Sequence, residues 1–205
     1  MINYFIDKMT ESKLYHERQT FYRCGLHALN NVLQGPVFTK TSLDDACSDL
    51  AAMTNPETSS GLMDWAWNPH KSPLGLGNYD INALTFALQQ KGYVMQWLDK
   101  RLPVDEKLVK LDEAEGVLCN VVMTTLLSSL WMQRHWFAVR KIRGVCYNLD
   151  SKLAAPVVLT GCFCGGWKPF ASDRECYHFL QELVNSGECE LFLIANEDKM
   201  RSPVE

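Results

Sequence analysis

At Gly92 the spacing of apolar residues changes. Before it they recur every three or four positions, and after it they come in short runs and alternations. Cys24 to Gln34 places Leu26, Leu29, Val32 and Leu33 on one helical face, and Gly35-Pro36 supplies the stop. A second helix is predicted from about Thr41-Ser42, with Asp44 and Asp45 in a first turn that suits carboxylates, ending before Asn55-Pro56. A third runs from about Ile81 to Lys91, capped by Asn78 or Asp80. Strands are then predicted over Tyr93–Leu98, Val117–Met123, His135–Lys141, Val145–Leu149 and Glu190–Ala195, with a helix over about Asp173–Val184 before the last. Helices first and strands afterwards predict an α+β fold rather than an alternating α/β one.

The chain has 205 residues, 47% apolar and 21% charged, enough to build a core without disulfides or metal. No linker or repeat divides it. A single domain over residues 1–205 is expected, with a core of about 14–195 and short tails. The net charge is -4 with no basic stripe, which excludes nucleic acid as an expected partner. Gly116 to Gln133 holds no charge over 18 residues, the lower limit for a membrane span. Asn120, Thr124, Thr125, Ser128, Ser129 and Gln133 interrupt it, so a buried strand and a loop are expected and no transmembrane segment. The first residues carry no apolar run of signal-peptide type. With eight cysteines, a reducing, cytoplasmic setting with free thiols is expected. Cys47, Cys119 and Cys146 lie in apolar patterned segments, where a thiol acts as a small hydrophobe. Residues 54–78, rich in proline and glycine, read as a long loop that could cover a cleft.

Cys24 follows an irregular segment and begins a helix. Backbone N–H groups at a helix N-terminus stabilise an anion and favour thiolate, whereas a packed cysteine is inert. Position alone leaves both readings open. His135 and Asp150 lie on two alternating segments joined by Lys141-Ile142-Arg143-Gly144, which has room for a hairpin turn. A two-residue loop at 142 and 143 puts His135 opposite Asp150. One at 143 and 144 makes them diagonal neighbours on one face, and a three-residue loop separates them. Asn148 shares the face of Asp150 and is the fallback partner for His135. Gln19, five residues before Cys24, has a side-chain amide able to donate to an oxyanion, beside the backbone N–H of Cys24. A rival constellation, Cys162, Cys164, Cys176 and His178, has zinc-ligand chemistry. Its C-x-C spacing is poor for a structural site, and Cys176 and His178 diverge on a helix. No metal or other cofactor is expected.

Taken in order, Tyr15-His16-Glu17-Arg18-Gln19, Cys24, the run HALNNVLQ from His27 to Gln34, Asn68-Pro69-His70-Lys71-Ser72, Gly77-Asn78-Tyr79-Asp80, His135-Trp136 and Tyr147 to Leu153 resemble the Josephin family. The resemblance spans about residues 14–195. It implies a papain-like cysteine protease fold, a helical half packed against an antiparallel sheet. It implies a deubiquitinating hydrolase, acting on ubiquitin and ubiquitinated proteins through a thioester; separately, a monomer is expected. Cys24, His135 and Asp150 would form the triad and Gln19 would belong to the oxyanion hole. Tyr22-Arg23 and the stretch from Thr160 to Ser172 depart from the family pattern and bear on specificity. Two alternatives stand beside this: a ubiquitin-binding adaptor with an idle triad, and a thiol peptidase acting on another modifier.

Overall fold

In the computed structural model, which describes residues 14–54, 68–72, 77–123, 133–159 and 173–201, three described helices precede the strands. They are α1 (Cys24–Leu33), α2 (Lys40–Thr54) and α3 (Ile81–Gln89). The strands are β1 (Tyr93–Trp97), β2 (Gly116–Met123), β3 (Gln133–Ile142), β4 (Val145–Asn148), β5 (Val157–Val158) and β6 (Cys189–Asn196). Helix α4 (Asp173–Asn185) comes before β6 and the short α5 (Glu197–Arg201) after it. The described strands make one antiparallel sheet in the order β1-β6-β2-β3-β4-β5. This is the expected α+β architecture. Strand β5 and helix α5 are additions that two exposed valines and a five-residue polar segment did not announce.

Both faces of the sheet are covered. Leu118, Trp136, Ala138, Phe192 and Ile194 pack with the apolar sides of α1, α2 and α3. Val117, Cys119, Phe137, Val139 and Leu191 pack with Cys176, Leu180 and Val184 of α4. A strand covered on both sides has no solvent face, which is why Gly116 to Met123 reads as an apolar run broken only at Asn120. Residues 124–132 lie outside the described residues. No described helix is long and apolar enough to cross a membrane. The thiols of Cys47, Cys119, Cys146, Cys176 and Cys189 are free and buried in these two layers. In the rival zinc constellation, Cys176 and His178 are helical as expected, Cys176 in the core and His178 outward beside Glu182. Cys162 and Cys164 fall outside the described residues.

Helix α1 is enclosed along its length, with every residue from Cys24 to Val32 buried. Its stop falls on Gln34, one residue before the expected glycine, in a left-handed conformation with φ 57°. That conformation costs about 1–2 kcal/mol for a residue other than glycine. The Gln34 side chain offsets it by bonding the Tyr15 N–H, the Tyr15 carbonyl and the Asn31 carbonyl. Helix α2 starts earlier than expected, at Lys40, because Thr39 and Ser42 cap each other reciprocally at 2.9 and 3.1 Å. Of the two candidate caps for α3, Asp80 does the work, accepting the Ala83 N–H at 2.8 Å. Much of the loop predicted over 54–78 lies outside the described residues.

The hairpin register is resolved by Ile142 pairing with Val145. The loop is therefore Arg143-Gly144, with φ 52° and 78°, the conformation that matches strand twist in two-residue hairpins. Asp150 thus becomes the diagonal neighbour of His135 on one face.

Candidate active site

Cys24 is the first residue of α1 and 6% exposed, at the wall of a cleft of 660 Å³. Gln19, His135, Trp136, Asn78 and Asp80 line the same cleft. Most helices begin with a capping side chain, but Arg23 stands at this N-cap and makes no capping bond. The Gly25 and Leu26 N–H groups, which an N-cap side chain would bond, thus receive no bond from Arg23. Behind Cys24, Gly25 lets Leu84 close onto the helix: a Cβ there would meet Leu84 at 3.2 Å.

His135 comes from β3 and is buried. Its Nε2 bonds the Asp150 Oδ1 at 2.8 Å. The Cys24 thiol is close enough to act on the imidazole, and with Nε2 taken by Asp150 the ring nitrogen left for it is Nδ1. Burial works against a charged ring, yet the Asp150 carboxylate and the Cys24 thiol outweigh it and raise the His135 pKa above the ordinary histidine value. Burial likewise pushes the Asp150 carboxyl up. The bonds from His135 and from the Lys152 N–H (2.9 Å) overcome it and hold Asp150 below the usual carboxylate range. A thiol and a carboxylate therefore act on one imidazole and favour its protonated form. Such an arrangement delivers a sulfur nucleophile and a proton donor to one cleft.

Asn148 does not reach His135. Its Oδ1 accepts the Asp150 N–H at 3.0 Å and shapes the turn that presents the carboxylate. Gln19 is fixed at both ends. Its N–H donates to the Ser151 carbonyl at 2.8 Å, and its Nε2 donates to the Phe21 carbonyl at 2.7 Å. Phe21 is left-handed, φ 55°, and turns that carbonyl toward the glutamine. An amide nitrogen carries two hydrogens, so one is left for the cleft.

Several residues around the site were matched as motif but given no chemistry by the sequence. Glu17 accepts from His27 Nδ1 at 2.6 Å, from Asn30 Nδ2 at 3.1 Å and from the Tyr15 hydroxyl, lashing the segment before Cys24 onto α1. The signal was available: three polar residues, His27, Asn30 and Asn31, inside an enclosed helix must have buried partners. Gly77 lies against Tyr22, where a Cβ would meet the Tyr22 carbonyl at 2.7 Å, and the Asn78 N–H donates to that same carbonyl at 2.7 Å. Asp80 accepts from His70 at 2.9 Å, and Tyr79 donates its hydroxyl to Asp44 at 3.0 Å.

A cysteine at the start of an enclosed helix, facing a strand histidine and its carboxylate across a cleft, defines a papain-like protein of cysteine-protease type. The Josephin family profile matches residues 19–163. Josephin-2 of Homo sapiens is 37% identical over 188 residues, 90% of this chain and 87% of that protein. A Josephin-like protein of Drosophila melanogaster is 37% identical over 190 residues, 90% of this chain and 75% of that protein. An ataxin-3 homolog of Arabidopsis thaliana is 31% identical over 153 residues, 70% of this chain and 49% of that protein. The chain belongs to the Josephin family, a family of deubiquitinase class.

Proposed function

We propose that this chain is a monomeric thiol isopeptidase that releases ubiquitin from ubiquitinated proteins, with Cys24, His135 and Asp150 as its triad. The observation that carries this is His135, bonded through Nε2 to Asp150 Oδ1 at 2.8 Å, on the cleft that Cys24 lines from the start of α1. The Cys24 thiolate attacks the carbonyl carbon of the C-terminal glycine of ubiquitin. An S–C bond forms, and the carbonyl oxygen becomes an oxyanion. Gln19 Nε2–H and the Cys24 N–H, at the first position of α1, are its donors. As the C–N bond breaks, the His135 imidazolium gives its proton to the leaving lysine amine. Water then attacks the thioester, losing a proton to the neutral His135, and the carboxylic acid product departs as thiolate is restored. Asp150 holds the ring orientation and stabilises its charged form throughout.

The cleft suits an extended apolar-polar tail, being walled by Tyr22, Tyr79, Trp136 and Phe192 with charged Asp80 and Arg134 at its sides. The test is hydrolysis of a fluorogenic amide at the C-terminus of ubiquitin. Turnover by the wild type, lost in Cys24→Ala and in His135→Ala, is expected. Equal turnover by wild type and Cys24→Ala would sink the reading. A wild type that binds ubiquitin and turns nothing over would make it an adaptor.

A further inference from the structure

Asn31 takes no part in the chemistry at Cys24, yet it is 0% exposed on the enclosed helix. Asparagine is a poor helix former, and a buried amide left unpaired is strongly destabilising. Packing alone would call for leucine. The Asn31 side-chain bonds go to main chain of two other segments. Oδ1 accepts the Glu17 N–H at 2.6 Å. Nδ2 donates to the Leu149 carbonyl at 2.9 Å and to the Glu17 carbonyl at 3.3 Å. Glu17 lies two residues before Gln19, and Leu149 directly precedes Asp150.

Those two segments are also tied to each other. His16 Nε2 bonds the Asp150 carbonyl at 3.0 Å, and the Gln19 N–H donates to the Ser151 carbonyl at 2.8 Å. Asn31 itself stands seven residues after Cys24, two turns down the same helix. One carboxamide therefore joins the three chain segments that carry the thiol, the amide donor and the carboxylate.

We propose that Asn31 is a positioning residue that sets Gln19 and Asp150 in place about Cys24, with His16 as a second grip on Asp150. This rests on the thiol-isopeptidase reading above for its kinetic consequence but not for its structural one. Removing either grip lets the Asp150 main chain drift and weakens its bond to His135.

The experiment compares Asn31→Ala, His16→Ala and His16→Gln in the full chain, alone and combined with Asp150→Ala. Leu180→Ala, in the core under α4 and remote from these contacts, controls for lost stability. The first readout needs no substrate: the NMR titration of the His135 ring. Its midpoint moves to lower pH in Asn31→Ala and His16→Ala, returns toward wild type in His16→Gln, and stays put in Leu180→Ala. The second is kinetic. The positioning variants lower kcat on the order of tenfold with KM within about twofold; once Asp150 is alanine, His16→Ala adds less than about twofold and Asn31→Ala less than its full loss, the remainder acting through Gln19. If Asn31→Ala fails to fold, the half-buried His16 carries the test.

An unmoved His135 midpoint in both variants, or kinetic losses that multiply in full on Asp150→Ala, would overturn the proposal. A shifted midpoint in a chain that does not hydrolyse ubiquitin would support the clamp and remove the substrate assignment instead.

Discussion

Asp150→Ala removes the carboxylate that orients His135, and the structure bounds what that costs. The contact is 2.8 Å, and the two side chains are only 4% and 18% exposed. A charge-assisted hydrogen bond between such shielded groups contributes about 1.5–3 kcal/mol. If that interaction is felt fully when the imidazole is charged, kcat/KM falls between about 10-fold and about 150-fold. Asp150→Asn keeps an acceptor for His135 and loses the charge, so its loss belongs near the lower figure. The assay is hydrolysis of the fluorogenic ubiquitin amide from pH 5 to 9. Asp150 and Cys24 raise the His135 titration, so removing the carboxylate must move the alkaline limb of the profile to lower pH. A folded Asp150→Ala with activity within about twofold of wild type and an unmoved profile would refute the orienting role.

The same pair ties stability to pH. The Asp150 pKa is lowered in the fold, so its contribution is present above the unfolded carboxylate value and lost as pH falls through the folded one. The His135 pKa is raised, so its contribution is present below the ordinary histidine value of 6.5 and lost as pH rises through the folded one. Both are complete only between about pH 4 and about pH 6.5. The gap in Tm between wild type and Asp150→Asn is widest in that window and narrows on either side.

Glu17→Gln lowers Tm at pH 7 by a few degrees. Burial raises the Glu17 carboxyl, but bonds from His27, Tyr15 and Asn30 outweigh it and lower its pKa. The gap should close as pH falls through that lowered value, and an equal gap at pH 3.5 and pH 7 would count against the ionised hub. Gly77→Ala places a Cβ 2.7 Å from the Tyr22 carbonyl at φ 104°, so the backbone must shift. A loss of about 1–3 kcal/mol in urea unfolding is expected, with slower alkylation of Cys24. An unchanged midpoint and rate would show that the turn before Cys24 does not lean on Gly77.

The sequence was informative wherever one residue or one period decides the outcome. Gly92 separated helix from strand, and Leu26, Leu29, Val32 and Leu33 marked the inner face of α1. The two-residue alternatives both put Asp150 within reach of His135, and only long-range pairing chose Arg143-Gly144 as the loop. Asn148 shows what period alone misses: it shares the face of Asp150, but its short side chain closes a local turn before it can reach the imidazole. Gln34 took the left-handed stop from Gly35 because its amide meets Tyr15, a contact 19 residues away that no local rule encodes. The clamp around Asn31 was hidden for the same reason. Each of its partners is main chain, and main-chain partners leave no residue type to read.

The most direct test of the active-site assignment is a ubiquitin carrying a thiol-reactive electrophile at its C-terminus, with the adduct mapped by mass spectrometry. A single adduct on Cys24, absent in Cys24→Ala and slower to form in His135→Ala, is the expected result. Adduct formation at Cys47 or another buried thiol, or none at all on a folded chain, would contradict the assignment of Cys24 as the nucleophile of a deubiquitinase.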